Sequence, residues 1–262
     1  FFDLNGNFVK LLTIDFMPLR IFPLQSGNLM IWGHVPVAGA KSKHVLAELN
    51  ANTGKYEVFD EQISLFNTPD KIQIPSKRII HVIGAPYSRG KEMIRLTADD
   101  RVIKANNQTG EIEVFEKQSG QYCQTSFTIK GDRIPISENE KQEYYRNFKE
   151  KLKNRNLDTS YADQVLQEGF FPDHLPYFYN LIIDERSNAL FFLYTNTQGE
   201  DFAFEAYSTD GRKLGRSEFK IDGYELLANM GNFKFKDGYI YTLALKKDAE
   251  FPLRILKCRV GG

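Results

Sequence analysis

Four histidines, two cysteines and a scatter of asparagines and acids are the residues from which this chain could assemble catalytic or metal chemistry. His34, His44, His81 and His174 each stand alone. No two have the HxH or HxxxH spacing that chelates a metal from one strand or one helix turn, and no CxxC or Cys/His cluster has zinc spacing. His174, held between two prolines, reads first as a hydrogen-bonded structural group. Cys123 and Cys258 lie in strand-like runs, QYCQTSF and RILKCRV. They are expected as buried free thiols, unbonded to each other. No GxSxG, phosphate-binding loop or GxGxxG occurs, and Asp99-Asp100 reads as a turn rather than a catalytic pair. Asn106, Asn107, Asp184 and Asn232 sit at or near expected strand ends and could hold calcium, but surface turns account for such residues equally well. No catalytic or metal-ligating residue is assigned, and no cofactor, with calcium left open. What stands out instead is a concentration of amphipathic rings in one segment: Tyr144, Tyr145, Tyr161, His174, Tyr177 and Tyr179. Such density is typical of recognition surfaces, so these six form the candidate binding surface, with only a subset expected to be exposed.

The elements that must position these residues repeat. Asn50 to Gly54, Lys117 to Gly120 and Thr209 to Gly211 are Gly-ended turns, each between two runs of alternating apolar residues. An earlier turn precedes each of them, at Gln25 to Asn28, Ala98 to Asp100 and Glu185 to Asn188, and Lys236 to Gly238 begins a further copy. The unit is strand, turn, strand, loop, strand, turn, strand. That is one four-stranded antiparallel blade. Three complete blades fall near 19–60, 93–130 and 178–220, and 232–260 supplies three strands of a fourth. Blades bury their faces only against one another, which predicts an all-β propeller occupying 1–262 as one domain. The aromatic content of 13% suits pleated surfaces. The opening FFDLNGNFVKLL reads as the tip of a hairpin. Residues 1–14 are therefore expected to supply two outer strands of a preceding blade, in a chain lacking an N-terminal portion.

Totals exclude some partners. Lys plus Arg and Asp plus Glu are both 34, so the net charge is zero, without the basic excess usual in nucleic-acid binders. The one basic run, Lys149 to Arg155, marks a solvated helix face. No apolar run approaches the roughly 20 residues of a membrane span, the longest being Ala189 to Tyr194. No basic segment followed by an apolar one marks a signal peptide at the N-terminus.

The rhythm breaks at 137–170, where a helical insertion is predicted. Ser137 and Glu140 form a capping box, Tyr144, Tyr145, Phe148 and Leu152 recur at helical spacing, and Asn154 and Asn156 close the helix. A shorter helix follows from about Tyr161 to Glu168. The aromatic stripe is expected to pack on the propeller. Two flanking motifs carry a resemblance: Arg133-Ile-Pro135-Ile-Ser137-Glu-Asn-Glu140, of the form R-x-P-[IVL]-[ST]-x-x-E, and Phe171 to Phe178, of the form F-P-D-x-L-P-x-[FY]. From about Phe59 onward the chain resembles bacterial six-bladed β-propeller proteins of the NHL and TolB-like superfamily, especially envelope proteins of Bacteroidetes. The resemblance implies six blades and a periplasmic or cell-surface location, with a lipid anchor in a preceding segment. It carries over no catalytic residue.

Two functions follow as expectations. One is a non-enzymatic binding or scaffold propeller of the cell envelope, presenting one face to a protein, peptide or glycan. The other is a metal-dependent hydrolase or lyase of the lactonase type, with its site in the central channel. The insertion either braces blades or presents rings on the binding face.

Overall fold

In a computed structural model of the chain, residues 8, 11–37, 41–65, 71–75, 80–84, 92–131, 133–195, 201–220, 222–226 and 233–259 are described. The chain divides into two compact units, Phe1–Thr68 and Pro69–Gly262.

In the first unit, β1 (Met17–Pro23), β2 (Leu29–Val37), β3 (Lys41–Leu49) and β4 (Tyr56–Leu65) form an antiparallel meander in chain order. Its core face gathers Ile31, Val45, Ala47 and Leu49 beneath Phe16. Gly33 makes this possible, because a Cβ there would lie 2.5 Å from the Phe16 ring. The turn into β4 is local chemistry: Asn50 Oδ1 accepts from the backbone N–H groups of Asn52 and Thr53. Residues 11–14, expected as strand, carry none; Leu12 and Ile14 pack instead against the sheet's core. The rest of the expected opening hairpin lies outside the described residues, apart from Phe8.

The second unit begins with a hairpin that the sequence did not announce, β5 (Lys71–Pro75) and β6 (Ile80–Gly84). Two four-stranded sheets follow where the turns predicted them. One is β7 (Glu92–Leu96), β8 (Val102–Asn106), β9 (Glu111–Gln118) and β10 (Gln121–Thr128). The other is β11 (Asn180–Ile183), β12 (Leu190–Thr195), β13 (Asp201–Tyr207) and β14 (Lys213–Lys220). The last sheet contains β15 (Tyr224–Leu226), β16 (Phe233–Lys236), β17 (Tyr239–Lys246) and β18 (Leu253–Arg259). Its strands β16 to β18 are the three expected ones. The extra strand β15 shares an edge of β17 with β16: β16 pairs with Tyr239 to Thr242 and β15 with Ala244 to Lys246.

Alternation decides the packing. Along β12, Leu190 and Phe192 turn toward Ile103, Ile112 and Val114 of the preceding sheet. Leu193 turns the other way, toward Phe233, Phe235 and Ile240 of the next. Strands β7, β11 and β16, each the first of a run of consecutively paired strands, lie side by side at one edge of this stack. Sheets stacked face to face with their first strands together are propeller blades, and the chain is an all-β protein of that fold.

Candidate functional site

The insertion is where a connection becomes a structure of its own. Helix α1 (Glu138–Asn154) starts at the predicted capping box. Ser137 Oγ accepts from Glu140 N, while Glu140 Oε2 accepts from Ser137 N at 2.8 Å. A 3₁₀ helix (Thr159–Leu166) follows, capped by Asp158, which accepts from Ser160 N and is held below the usual carboxylate range by that backbone N–H. The two ends of the excursion are tied together. Pro135 and His174 form an isolated antiparallel bridge, Leu175 N donates to Ile134 O at 2.8 Å, and Ile136 N donates to Asp173 O at 3.1 Å. The insert therefore leaves the blades through a closed neck.

Above that neck it has a core. Phe148, Leu152, Ala162, Val165, Phe170 and Phe171 are buried together with Ile72 and Ile74 of β5. The aromatic stripe thus packs on the unannounced hairpin, and the two account for each other. Among the described residues, no further strand pairs with the short hairpin, and the buried side chains of the helix meet Ile72 and Ile74.

The six predicted surface residues separate into three places. Tyr144, Tyr145 and Tyr161 are half-buried around the insert's core. Tyr144 is edge-on to Phe171, and its burial pushes its hydroxyl pKa up. Tyr145 donates to Asp163 at 2.9 Å and accepts from Lys149, tying the two helices together. His174 is half-buried in the neck. Tyr179 is buried, its N–H donating to Leu193 O. Tyr177 packs at the blade core and forms a platform. Its N–H donates to Asn107 O at 2.7 Å, and Arg133 lies over its ring, 5.0 Å from the centroid. Gly110, at φ +73°, lets the ring settle, since a Cβ there would meet it at 3.1 Å. Arg133 Nη2 donates to Gln108 Oε1 at 3.0 Å, and no carboxylate pairs with this guanidinium among the described residues. The sequence had singled out Tyr177 and the Arg133 motif separately; nothing in their spacing joined them.

The expected oxygen donors are distributed otherwise. Asn106 Oδ1 accepts from the N–H groups of Gln108 and Thr109 in the β8–β9 loop, beside the neck. Asn107 is buried there, with its Oδ1 unpartnered. Asp184 closes the β11–β12 turn, accepting from Arg186 N and Ser187 Oγ. Strand direction puts that turn at the opposite end of the blades, so Asp184 cannot share an ion with Asn106. Asn232 lies outside the described residues, and His81 falls in β6. At this opposite end the turns interlock: Ala98 N donates to Asn188 Oδ1, Arg101 Nη1 to Thr209 Oγ1, and Arg186 pairs with Asp237.

One buried acid was not anticipated. Glu205 of β13 is 6% exposed and accepts from Tyr194, Tyr207, Lys213 and Arg216 at 2.5 to 3.2 Å. Burial alone would raise its pKa, but the four donors overcome that and hold it below the usual range. Burial, reinforced by Glu205, pushes Tyr207 up to about 12. With every lone pair engaged, this carboxylate joins β12, β13 and β14 across the sheet. Both cysteines are free, Cys258 half-buried and Cys123 exposed. The expected burial fails for Cys123 because β10 is an outer strand whose residues mostly face solvent.

No protein-family model matches the chain, and no curated protein matches it in sequence. Among solved structures, a protein from Lactobacillus plantarum aligns over 95% of this chain and 73% of its own, at 11% identity and a TM-score of 0.31. A "putative 6-phosphogluconolactonase" from Bacteroides uniformis aligns over 92% and 84%, at 10% identity and a TM-score of 0.30. Likeness this slight bears on neither the fold nor the activity of this chain.

Proposed function

We propose that this chain is a non-enzymatic binding or scaffold propeller, of the six-bladed NHL and TolB-like kind, held in the bacterial envelope. It presents the end of its blades that bears the insertion to a protein, peptide or glycan. The envelope location rests on the resemblance carried by Arg133 to Glu140 and Phe171 to Phe178. The binding reading rests on one observation. At the insertion-bearing end, a long connection is built into a packed element on a closed neck, beside an arginine stacked on a ring and paired with no acid among the described residues. Long connections on a rigid scaffold are where recognition concentrates. A guanidinium stacked on a ring loses little freedom when it meets an acceptor. At the other end, short turns use their polar groups on one another.

The test compares the two ends. A photocrosslinking residue is placed at exposed Asn147 of α1 or at exposed Asp210 in the β13–β14 turn, and each protein is irradiated in envelope extracts. Discrete adducts from position 147 and not from 210 are expected, and deleting 138–169 should remove binding from a still-folded protein. Adducts from 210 alone, or binding unchanged by the deletion, would refute the assignment.

A further inference from the structure

The register of the first sheet aligns residues from three consecutive strands. His34 of β2 stands directly opposite His44 of β3, and Met17 of β1 stands directly opposite His34 on the other side. Directly opposed residues of antiparallel strands project to one face, with Cβ atoms about 4.5–5.5 Å apart. Gly33 identifies that face. Phe16 covers Gly33 on the core side, so the next residue, His34, and with it Met17 and His44, project from the other side. Both imidazoles are half-buried and Met17 is 56% exposed. Trp32, two residues before His34 and on the same face, has its ring centroid 6.1 Å from that of His44.

We propose that Met17, His34 and His44 form a binding site for a copper ion on this face of the first sheet. The site involves the Phe1–Thr68 unit alone and is independent of the binding role given to the insertion. The donor set decides the metal. Imidazole nitrogen suits several late transition metals, and affinity for divalent ions peaks at copper(II). A thioether adds a soft ligand that hard cations use poorly and copper(I) uses well, while zinc(II) falls below copper(II) in affinity for the same site. Neighbouring strands of one blade hold all three side chains in one rank, so the backbone need not rearrange to assemble them.

The chain carries its own probe, because Trp32 is its single tryptophan and a paramagnetic ion bound at His44 quenches it. The full chain, without histidine tags, is titrated with copper(II) sulfate while tryptophan emission is followed. Saturable quenching at one equivalent is expected. H34Q and H44Q should each abolish the saturable phase while keeping the parent's melting transition. M17L should weaken copper(I) retention against a bicinchoninate chelator more than it weakens copper(II) quenching. On the unmutated chain, copper should protect His34 and His44, but not His174, from diethyl pyrocarbonate, read by peptide mass spectrometry. Quenching that never saturates, saturable quenching that survives both substitutions, absence of that protection, or displacement of copper by equimolar zinc would each overturn the site.

Discussion

Glu205 shows how much a single side chain can hold in this fold. Its carboxylate is the shared acceptor for two tyrosine hydroxyls and two cations, only the cations being substantially exposed. Glu205→Gln keeps the shape and removes the charge, leaving Tyr194 and Tyr207 with a weaker partner. A loss of about 1–3 kcal/mol is expected, the range for an impaired buried hydrogen-bond group, measured by urea denaturation at neutral pH. The pH dependence has a definite sign. The folded-state pKa of Glu205 is lowered, so its contribution is present above the ordinary glutamate range and disappears as pH falls through the lowered value. Parent and variant should therefore converge in stability in acid. Tyr207 acts at the other extreme. Its pKa is raised to about 12, so its contribution is intact below the ordinary tyrosine value and is lost as pH climbs toward 12. Tyr207→Phe should flatten the alkaline limb of the stability profile.

At the scale of elements, the insertion and the β5–β6 hairpin depend on each other. Phe148 is 5% exposed within their common core. Phe148→Ala removes most of an aromatic ring from it, which typically costs about 3–5 kcal/mol. Hydrogen exchange should locate that loss: amides of α1 and of β5 should lose protection together, ahead of those of β8 and β12. Uniform loss across the blades would show the insert to be continuous with them instead. Ser137→Ala, which removes half of the capping box, should cost about 1 kcal/mol in the same local transition. The neck sharpens the contrast. Its backbone pairing between 134–136 and 173–175 uses no residue of the helix, so it should outlast melting of α1.

At the scale of the molecule, the two thiols report the order of the blades. Cys123 belongs to the sheet β7–β10 and Cys258 to the sheet holding β15–β18, and the sheet β11–β14 lies between them. Two free thiols should titrate in denaturant without reductant. In the native protein Cys123 should react first, because it is exposed and burial pushes the Cys258 thiol pKa up. A protein with no titratable thiol, or with Cys258 reacting faster, would contradict this order. No helix among the described residues is long and apolar enough to cross a membrane.

The sequence by itself determined whatever is decided within a few residues. Ser137 and Glu140 cap a helix wherever that helix packs, and Gly54, Gly120 and Gly211 end turns because only a residue without Cβ enters those backbone conformations cheaply. The blades could be placed from these signals, since each strand boundary is a local event. The five-residue alternation of β5 was too short to stand out, and β15 is shorter still. Tertiary structure alone decided which local pieces meet. Arg133 reached Tyr177 only when the neck closed, Glu205 found its donors on three strands, and His34 met His44 through a register fixed by the whole sheet. Composition shows that such residues exist. Their pairing depends on strand register and on closure of the neck, which the packed sheets set rather than any spacing along the sequence.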